Sequence, residues 1–249
     1  MTSYPSTALV LLAKYPVPRN VKTRLVNGTS RNGYVGLKNI SDKSGRIISE
    51  NEAYDLAAKM YAAFLRDRFK AHQEKYYDVL LATSEPEQTS NFRSITGNLV
   101  PYHVLSKAKM GDMLFGIFKK LLTQYQFVLI SSTDIPSLDE IIIQTVCSSL
   151  ESHDIVLVPA EDGAYNLIGM RKLYNIFDIP NWSSGTELKD TITLLRNRKI
   201  THQVLNQYHL SDIDTVEDLA KLIKSPTIPD APHTNFFLKT LNERFILKL

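Results

Sequence analysis

The sequence has little cysteine and no long apolar run. Its single cysteine, Cys147, lies in an apolar helical pattern, which excludes a disulfide within the chain and predicts a buried thiol. Near the N-terminus, the apolar run Ala8–Ala13 is short and no basic residue precedes it. A membrane span needs about 20 apolar residues and a signal peptide begins with basic residues, so we expect neither. These absences predict a cytoplasmic protein with no membrane span.

Several common site motifs are also absent. No GxxxxGK[ST] or GxGxxG loop occurs, which disfavours a P-loop ATPase and a dinucleotide-binding Rossmann enzyme. The six histidines show no HxxxH or HExxH spacing, and the sequence contains no GxSxG. A zinc site and a serine hydrolase are therefore not expected.

The charge balance argues against a surface that binds nucleic acid. The net charge is +3, and the 29 Lys and Arg residues are scattered among 26 Asp and Glu residues. An apolar content of 43% suffices for one large domain or two small ones, and no linker rich in proline and serine divides the chain. We expect one domain over residues 1–225. A C-terminal tail, residues 226–249, is expected to pack on this domain or on a partner subunit in a homodimer.

Apolar runs and helical periods alternate along the chain, which predicts an α/β domain with a mostly parallel sheet flanked by helices. The predicted strands are Leu9–Ala13, Asp78–Ala82, Pro101–Leu105, Phe127–Ser131 and Ile155–Val158. The predicted helices are Ala53–Phe69, Gly111–Thr123, Ile141–Leu150, Thr186–Arg196 and Thr215–Ile223. Alternation over Tyr165–Gly169 predicts a strand that returns antiparallel beside the fifth strand, so the sheet is mixed.

The segment from Asn27 to Asn51 shows neither the apolar run of a strand nor the apolar repeat of a helix. It contains four of the ten glycines in the chain, with polar residues and short apolar patches between them. Such a segment buries too little surface to offset the entropy of ordering it. We predict a mobile insertion that orders over a ligand, with an inert surface loop as the alternative.

Asp134 directly follows the apolar run Phe127–Ile130, which is typical of a strand buried on both faces of a sheet. Because α/β sheets bind ligands at the carboxyl ends of their strands, this carboxylate is well placed to hold a metal ion against a phosphate. The alternative is that Asp134 only caps the next helix, in whose first turn Pro136 would lie. The sequence alone does not decide between the two.

The loop after the first predicted strand is basic. It contains Lys14, Arg19, Lys22 and Arg24, and its prolines stiffen the backbone. Such a loop could hold the oxygens of a diphosphate or triphosphate, with Arg24 as a bidentate donor and Lys22 as a point charge. A solvated basic turn is the alternative.

Two acidic segments follow later in the chain. Asp162-Gly163 after the fifth strand predicts a tight turn, where Asp162 could orient a substrate hydroxyl or assist a metal. In Asp212-Ile213-Asp214-Thr215, either Asp214 or Thr215 caps the following helix. If Asp214 is not only a cap, it would complete with Asp134 the sparse carboxylate set that Mg²⁺ prefers.

Taken together, these segments resemble the DUF2064 family of GT-A-like glycosyltransferases in the nucleotide-diphospho-sugar transferase superfamily, related to the guanylyltransferases that make the precursor of cofactor F420. The resemblance extends from Leu9 to Leu222 and implies a single-domain, Rossmann-like GT-A fold. The motifs that carry it are Ala13-Lys14-Tyr15-Pro16-Val17-Pro18, Val21-Lys22-Thr23-Arg24-Leu25, Ser132-Thr133-Asp134-Ile135-Pro136-Ser137-Leu138, Pro159-Ala160-Glu161-Asp162-Gly163-Ala164-Tyr165-Asn166-Leu167-Ile168-Gly169, Trp182 with Thr186, and Asp212-Ile213-Asp214-Thr215 with Asp218-Leu219.

The resemblance also implies residue roles. A divalent cation, Mg²⁺ or Mn²⁺, is expected on Asp134 and Asp214. The nucleotide is expected on Ala13, Lys14, Lys22, Arg24 and Thr133, and the sugar or acceptor on Asp162, Gly163, Tyr165, Trp182 and Thr186. The catalytic groups are expected to be Asp162, Lys22 and Arg24.

The chain departs from the family pattern at two glycine positions. It has Pro18-Arg19-Asn20 where the family has Pro-Gly-Arg, and Ala164 where the family has a second glycine. We therefore carry three functional hypotheses: sugar transfer from a nucleotide-diphospho-sugar to a small-molecule acceptor, nucleotidyl transfer with release of pyrophosphate, and nucleotide binding without turnover.

Overall fold

The computed structural model describes residues 6–28, 35–97, 102–104, 109–180 and 182–246. Within these residues, nine strands form two sheets. The strands are β1 (Thr7–Leu12), β2 (Ser41–Asp42), β3 (Asp78–Thr83), β4 (Tyr102–Val104), β5 (Phe127–Ser132), β6 (Ile155–Pro159), β7 (Tyr165–Met170), β8 (His202–Val204) and β9 (Phe245–Ile246). The central sheet has the order β4-β3-β1-β5-β7-β6-β8, and β2 pairs with β9 apart from it.

One strand of the central sheet runs against the others. β7 pairs antiparallel with both β5 and β6, whereas the remaining neighbours pair in parallel. The α/β class and the mixed, mostly parallel sheet are therefore confirmed, and so is the antiparallel strand predicted at Tyr165–Gly169. The five other predicted strands lie within one or two residues of β1, β3, β4, β5 and β6, apart from Pro101 and Leu105, which lie outside the described residues.

The described helices are α1 (Thr23–Asn27), α2 (Glu50–His72), α3 (Thr89–Thr96), α4 (Met110–Leu121), α5 (Glu140–Leu150), α6 (Glu187–Asn197), α7 (Val216–Lys224) and α8 (Pro232–Arg244). Local capping fixes several starts: Ser49 and Glu52 form a capping box on α2, and Asp139 accepts a hydrogen bond from the Ile142 backbone at the start of α5. None of the described helices combines the length and the apolar composition of a membrane span.

The core lies on both faces of the sheet because successive strand residues point to opposite sides. In β1, Leu9 packs in one apolar cluster with residues of α2 and α5, and Val10 packs in a second cluster with residues of α4 and α6. Cys147 of α5 is a buried free thiol, as predicted. Two helical layers thus cover the sheet, and its strand ends are left to carry the loops.

A third apolar cluster lies beside α2. The described part of the predicted insertion, residues 35–51, contributes Leu37, Ile40 and Ile48 to it, and all three are buried. This differs from the expectation that the segment buries little surface, since its short apolar patches find partners on α2. Its mobility stays a prediction. The C-terminal helix α8 adds Leu238 and Leu241 to the same cluster.

Candidate active site

Three loops converge at one edge of the central sheet. β1 and β5 are parallel neighbours, with Leu12 opposite Ser132, so the basic loop after β1 and Asp134 after β5 leave the sheet side by side. The segment before α7 joins them because the Ile213 backbone N–H donates to the Asp134 carbonyl at 3.3 Å. The edge rule for α/β sheets therefore predicts this meeting point correctly.

Lys22 lies between two carboxylates at this point. Its Nζ is 2.5 Å from Oδ2 of Asp134 and 2.8 Å from Oδ1 of Asp214. Its side chain is 4% exposed, against 17% and 16% for the two acids. Burial lowers the pKa of Lys22, but the charges of Asp134 and Asp214 and their hydrogen bonds more than offset this, so the pKa lies above its usual value. The Lys22 side chain is therefore protonated and carries a positive charge.

Asp134 and Asp214 are not helix caps. α5 begins at Glu140 and is capped by Asp139, so the alternative interpretation of Asp134 is wrong. Thr215 caps α7 and forms a capping box with Asp218, which leaves the Asp214 side chain for Lys22 and Arg24. Burial raises the pKa of the Asp134 carboxyl, but the Lys22 charge and the hydrogen bonds of Lys22 and Ser132 bring it below its usual value.

A third carboxylate, Asp212, completes the acidic group. One oxygen from each of Asp134, Asp212 and Asp214 lies within 4.8 Å of the others. Burial raises the pKa of Asp212 to about 6, and the charges of Asp214 and Asp134 add to the effect. Three carboxylate oxygens at these distances fit a hard divalent cation such as Mg²⁺ or Mn²⁺.

Asp212 was not among the predicted site residues. The signal in the sequence was an apolar residue between two acids, Asp212-Ile213-Asp214. In the structure Ile213 is buried, with 3% exposure. With Ile213 in the core, Asp212 and Asp214 both reach the acidic group, where their oxygens lie within 4.8 Å of one another.

Not all cations of the basic loop stay at the carboxylates. Arg24 forms an ion pair with Asp214 while its side chain stays 67% exposed. Arg19 turns away toward α2, where its guanidinium lies 4.6 Å from the ring centre of Tyr54 and donates to Asn51 Oδ1 at 2.9 Å. Arg19 has a φ of +69°, which explains why glycine suits this position in the family pattern.

Thr133 is positioned differently from the prediction. Its side chain is fully buried, and its hydroxyl donates to the Leu12 carbonyl at 3.0 Å. The Tyr61 hydroxyl lies 2.8 Å from the Thr133 hydroxyl oxygen and accepts from the Lys14 backbone N–H at 3.2 Å. Burial, followed by the Asp134 charge, raises the pKa of Tyr61 to about 12. Thr133 and Tyr61 thus hold the loops after β1 and β5 together rather than offering a hydroxyl to a nucleotide.

Two cavities adjoin at the carboxylates. The β1 cavity, of about 470 Å³, is lined by residues that include Ala13, Lys14, Lys22, Arg24, Asp134 and Asp214. The β7 cavity, of about 510 Å³, is lined by residues that include Arg24, Asp162, Tyr165, Trp182, Glu187 and Asp212. Both are of the size typical of ligand sites. They share four lining residues, Leu12, Arg24, Met110 and Ser132.

Hydrogen bonds to the backbone fix one part of the wall of the β7 cavity. Glu187 is buried and accepts from the Ser184 and Gly185 backbone N–H groups at 2.8 and 2.9 Å, which shapes the turn before α6. Gly163 packs on this turn, so its lack of a side chain serves a contact within the chain. The Thr186 hydroxyl donates to Asp190 at 2.8 Å, and Thr186 is not among the described residues that line the cavity.

Cavity size alone does not select the site. A cavity of about 480 Å³ that also borders the loop after β5 is lined by residues that include Arg68, Lys75, Glu140 and Lys221. None of the described residues around it is Lys22, Asp134, Asp212 or Asp214. The convergence of carboxylates and cations therefore identifies the edge between the β1 and β7 cavities.

Comparison with known proteins agrees with the sequence resemblance. Residues 68–184 match the model of a family described as an uncharacterized protein conserved in bacteria (DUF2064). The matched range contains Asp134 and Asp162, and it does not extend to the basic loop or to Asp212 and Asp214. No curated protein matches the chain.

Solved structures share the fold. A proposed nucleotide-diphospho-sugar transferase from Desulfovibrio desulfuricans G20 has a TM-score of 0.75 at 21% identity, covering 94% of this chain and 97% of its own. A cytidylyltransferase from Leptospira borgpetersenii gives 0.51 at 13% identity, covering 96% and 94%. A 4-diphosphocytidyl-2C-methyl-D-erythritol synthase from Anaerococcus prevotii gives 0.50 at 13% identity, covering 86% and 92%. The chain therefore has the nucleotide-diphospho-sugar transferase fold.

Proposed function

We propose that this chain, which matches the DUF2064 family model, is a divalent-metal-dependent transferase that moves a sugar from a nucleotide-diphospho-sugar to a small-molecule acceptor. The observation that carries the proposal is the group Asp134, Asp212 and Asp214, with Lys22 and Arg24, at the junction of two cavities. A nucleotide-diphospho-sugar has the same layout, since a charged diphosphate joins two neutral ends. The fold shared with the Desulfovibrio protein supports the proposal.

Each cavity takes one end of the donor. The β1 cavity takes the nucleotide, with Ala13 and Lys14 on its wall and Lys22 and Arg24 toward the phosphates. The β7 cavity takes the sugar and the acceptor, because Trp182 and Tyr165 offer apolar ring faces and Asp162 offers a carboxylate. Arg24 lines both cavities and so lies where the diphosphate would join the two ends.

The residues have distinct chemical tasks. A divalent cation held by Asp134, Asp212 and Asp214 would neutralise charge on the leaving diphosphate. Arg24 would add a charge-assisted hydrogen bond to the same oxygens. Asp162 would orient the acceptor hydroxyl and take its proton as the new C–O bond forms and the bond from the sugar carbon to the diphosphate breaks.

The alternative is nucleotidyl transfer. The fold shared with two cytidylyl-transferring proteins supports it, as does the basic loop, which suits a nucleoside triphosphate as well as a diphosphate. In this reaction a substrate phosphate attacks the α-phosphorus and pyrophosphate leaves. The two functions thus differ in product: a nucleoside diphosphate for sugar transfer, pyrophosphate for nucleotidyl transfer.

A thermal-shift panel tests the proposal. Nucleoside diphosphates, triphosphates and nucleotide sugars are each added with and without Mn²⁺, since a ligand that binds the native state raises Tm. The best ligand is then incubated with acceptors and the products are separated. Asp134→Asn should lose the Mn²⁺-dependent shift, and Asp55→Asn, a change at an exposed site on α2, should keep it. A panel without any Mn²⁺-dependent shift would contradict the proposal.

Two further expectations belong with this function. We propose that it takes place in the cytoplasm, where nucleotide sugars are made, and that the protein acts without a nucleic-acid partner. Formation of a homodimer stays a prediction, to be tested by light scattering.

A further inference from the structure

Lys22 fills the position that a metal ion would need. A cation that contacts Oδ2 of Asp134 and Oδ1 of Asp214 has to lie between these two oxygens, and Nζ of Lys22 is there, 2.5 and 2.8 Å away. Metal–oxygen distances for Mg²⁺ and Ca²⁺ are about 2.0–2.6 Å, so the ammonium and the metal exclude each other from this space. The ammonium acts as a built-in counter-ion for the carboxylates.

We propose that Lys22 is a cation lock: it occupies the carboxylates until nucleotide phosphates accept its ammonium, and only then does a divalent cation bind tightly to Asp134 and Asp214. This inference rests on the proposed function. It predicts that metal and nucleotide bind cooperatively, because each removes an obstacle to the other. The lock prevents a metal ion from being held without a donor substrate.

Charge accounts for the coupling. A metal ion that displaces Lys22 alone would leave an ammonium with 4% exposure without its partners, and a buried unpaired charge is costly. Nucleotide phosphates remove this cost because Lys22 also lines the β1 cavity, where they would lie. The lysine side chain has a flexible four-carbon stem and three donors, so a rotation of the stem suffices for the exchange.

Arg24 offers a matched comparison. It pairs with Asp214 as Lys22 does, but its side chain is 67% exposed. An exposed ion pair is screened by water and contributes little. Removal of the Arg24 charge should therefore change metal affinity less than removal of the Lys22 charge.

Calorimetric titration with Mn²⁺ alone tests the lock on the full chain. Lys22→Met is expected to bind Mn²⁺ about 10- to 100-fold more tightly than the wild type, the usual range for coupling between sites, and Arg24→Met to change affinity less. In a second arm, guanosine or cytidine diphosphate should tighten Mn²⁺ binding to the wild type by a similar factor, after correction for metal bound by free nucleotide. Lys22→Met should lose this coupling.

A wild-type measurement guards against misfolding of the variant. An acylating reagent that reacts with amines is added, and the rate of acylation of Lys22 is followed by mass spectrometry. Exposed Lys14 is the internal reference. Saturating Mn²⁺ should speed acylation of Lys22 relative to Lys14, because the displaced ammonium leaves its carboxylates. An unchanged ratio overturns the lock.

The outcomes separate the two proposals. Equal Mn²⁺ affinity in the wild type and Lys22→Met, with no effect of nucleotide, overturns the lock and leaves the metal site in place. If neither protein binds Mn²⁺ under any condition, the metal site fails, and with it both the lock and the metal-dependent function.

Discussion

Gly163 packs against the carbonyl oxygen of Gly185 with no room for a side chain. A Cβ atom at Gly163 would lie 2.2 Å from that oxygen, and the φ of Gly163 is +91°. The Leu188 backbone N–H donates to the Gly163 carbonyl at 3.2 Å, so the contact continues into α6. The turn that carries Asp162 is thereby fixed to the segment that precedes α6. This contact shapes the β7 cavity.

Gly163→Ala should destabilise the protein more than Gly45→Ala. Both glycines have a positive φ, but among the described residues, apart from its two chain neighbours, no atom lies within 4 Å of a Cβ placed at Gly45. Gly45→Ala should cost about 1–2 kcal/mol for the left-handed backbone alone. Gly163→Ala should cost about 1–3 kcal/mol more, as overpacked sites do. Urea denaturation measures the difference in the free energy of unfolding. Equal losses would show that the backbone at Gly185 moves aside without cost.

Asp134→Asn and Asp214→Asn should each abolish Mn²⁺-dependent nucleotide binding with the fold intact. The amide keeps the shape of the side chain but removes the charge that a divalent cation needs. Lys22 retains one carboxylate partner in each single variant, so no unpaired cation is left. Calorimetry on both variants, with Asp55→Asn as the control, is the measurement. Wild-type Mn²⁺ dependence in either variant would remove that aspartate from the metal site.

The fold could be predicted from the sequence because its strands are short, uninterrupted apolar runs. Phe127–Ile130 is apolar throughout, as expected for a strand covered on both faces, and the helical periods between such runs predict crossover helices. Because parallel sheets bind ligands at the carboxyl ends of their strands, Asp134 and the basic loop were expected at one edge of the sheet. Short helices such as α1 and α3 were not predicted, because one or two turns are too short to show the helical repeat of apolar residues.

The side-chain geometry of the site could not be predicted. Lys22 lies 112 residues from Asp134 and 192 from Asp214, and its direction depends on its own left-handed backbone, with a φ of +51°. Residues other than glycine rarely adopt the left-handed conformation, so the sequence does not predict it at Lys22. The burial of Thr133 and the turn of Arg19 toward α2 depend in the same way on local backbone geometry.

Arg24→Ala should weaken binding of nucleoside diphosphates by about 1.5–3 kcal/mol, the range for charge-assisted hydrogen bonds, and leave a free nucleoside nearly unaffected. Arg19→Ala is the matched control: it removes a cation from the same loop, but one that contacts Asn51 and Tyr54 on the side of α2. Titration of both ligands against both variants decides. Equal losses for nucleoside and diphosphate, or equal effects of the two substitutions, would contradict contact of Arg24 with phosphate.

His72 should make the fold sensitive to mild acid. Burial, followed by the charge of Arg68, lowers the pKa of His72 from 6.5 to about 4, and its Nδ1 lies 2.7 Å from the Tyr77 hydroxyl. The unfolded chain therefore binds more protons than the native protein between pH 6.5 and 4, so stability falls as the pH falls through this window. The loss attributable to His72 should reach about 3 kcal/mol near pH 4 and vanish above pH 6.5.

Urea denaturation at pH 7, 5.5 and 4.5 measures this dependence in the wild type and in His72→Gln. The raised pKa of Asp212 acts in the opposite direction over part of the window, so the difference between the two proteins is the informative quantity. His72→Gln should be less stable than the wild type at pH 7, where the packing of His72 is lost, and should show a shallower decline in acid. His233→Gln, at an exposed position on α8, should decline as the wild type does. If His72→Gln declines as steeply as the wild type, another group causes the acid sensitivity, and His72 titrates normally.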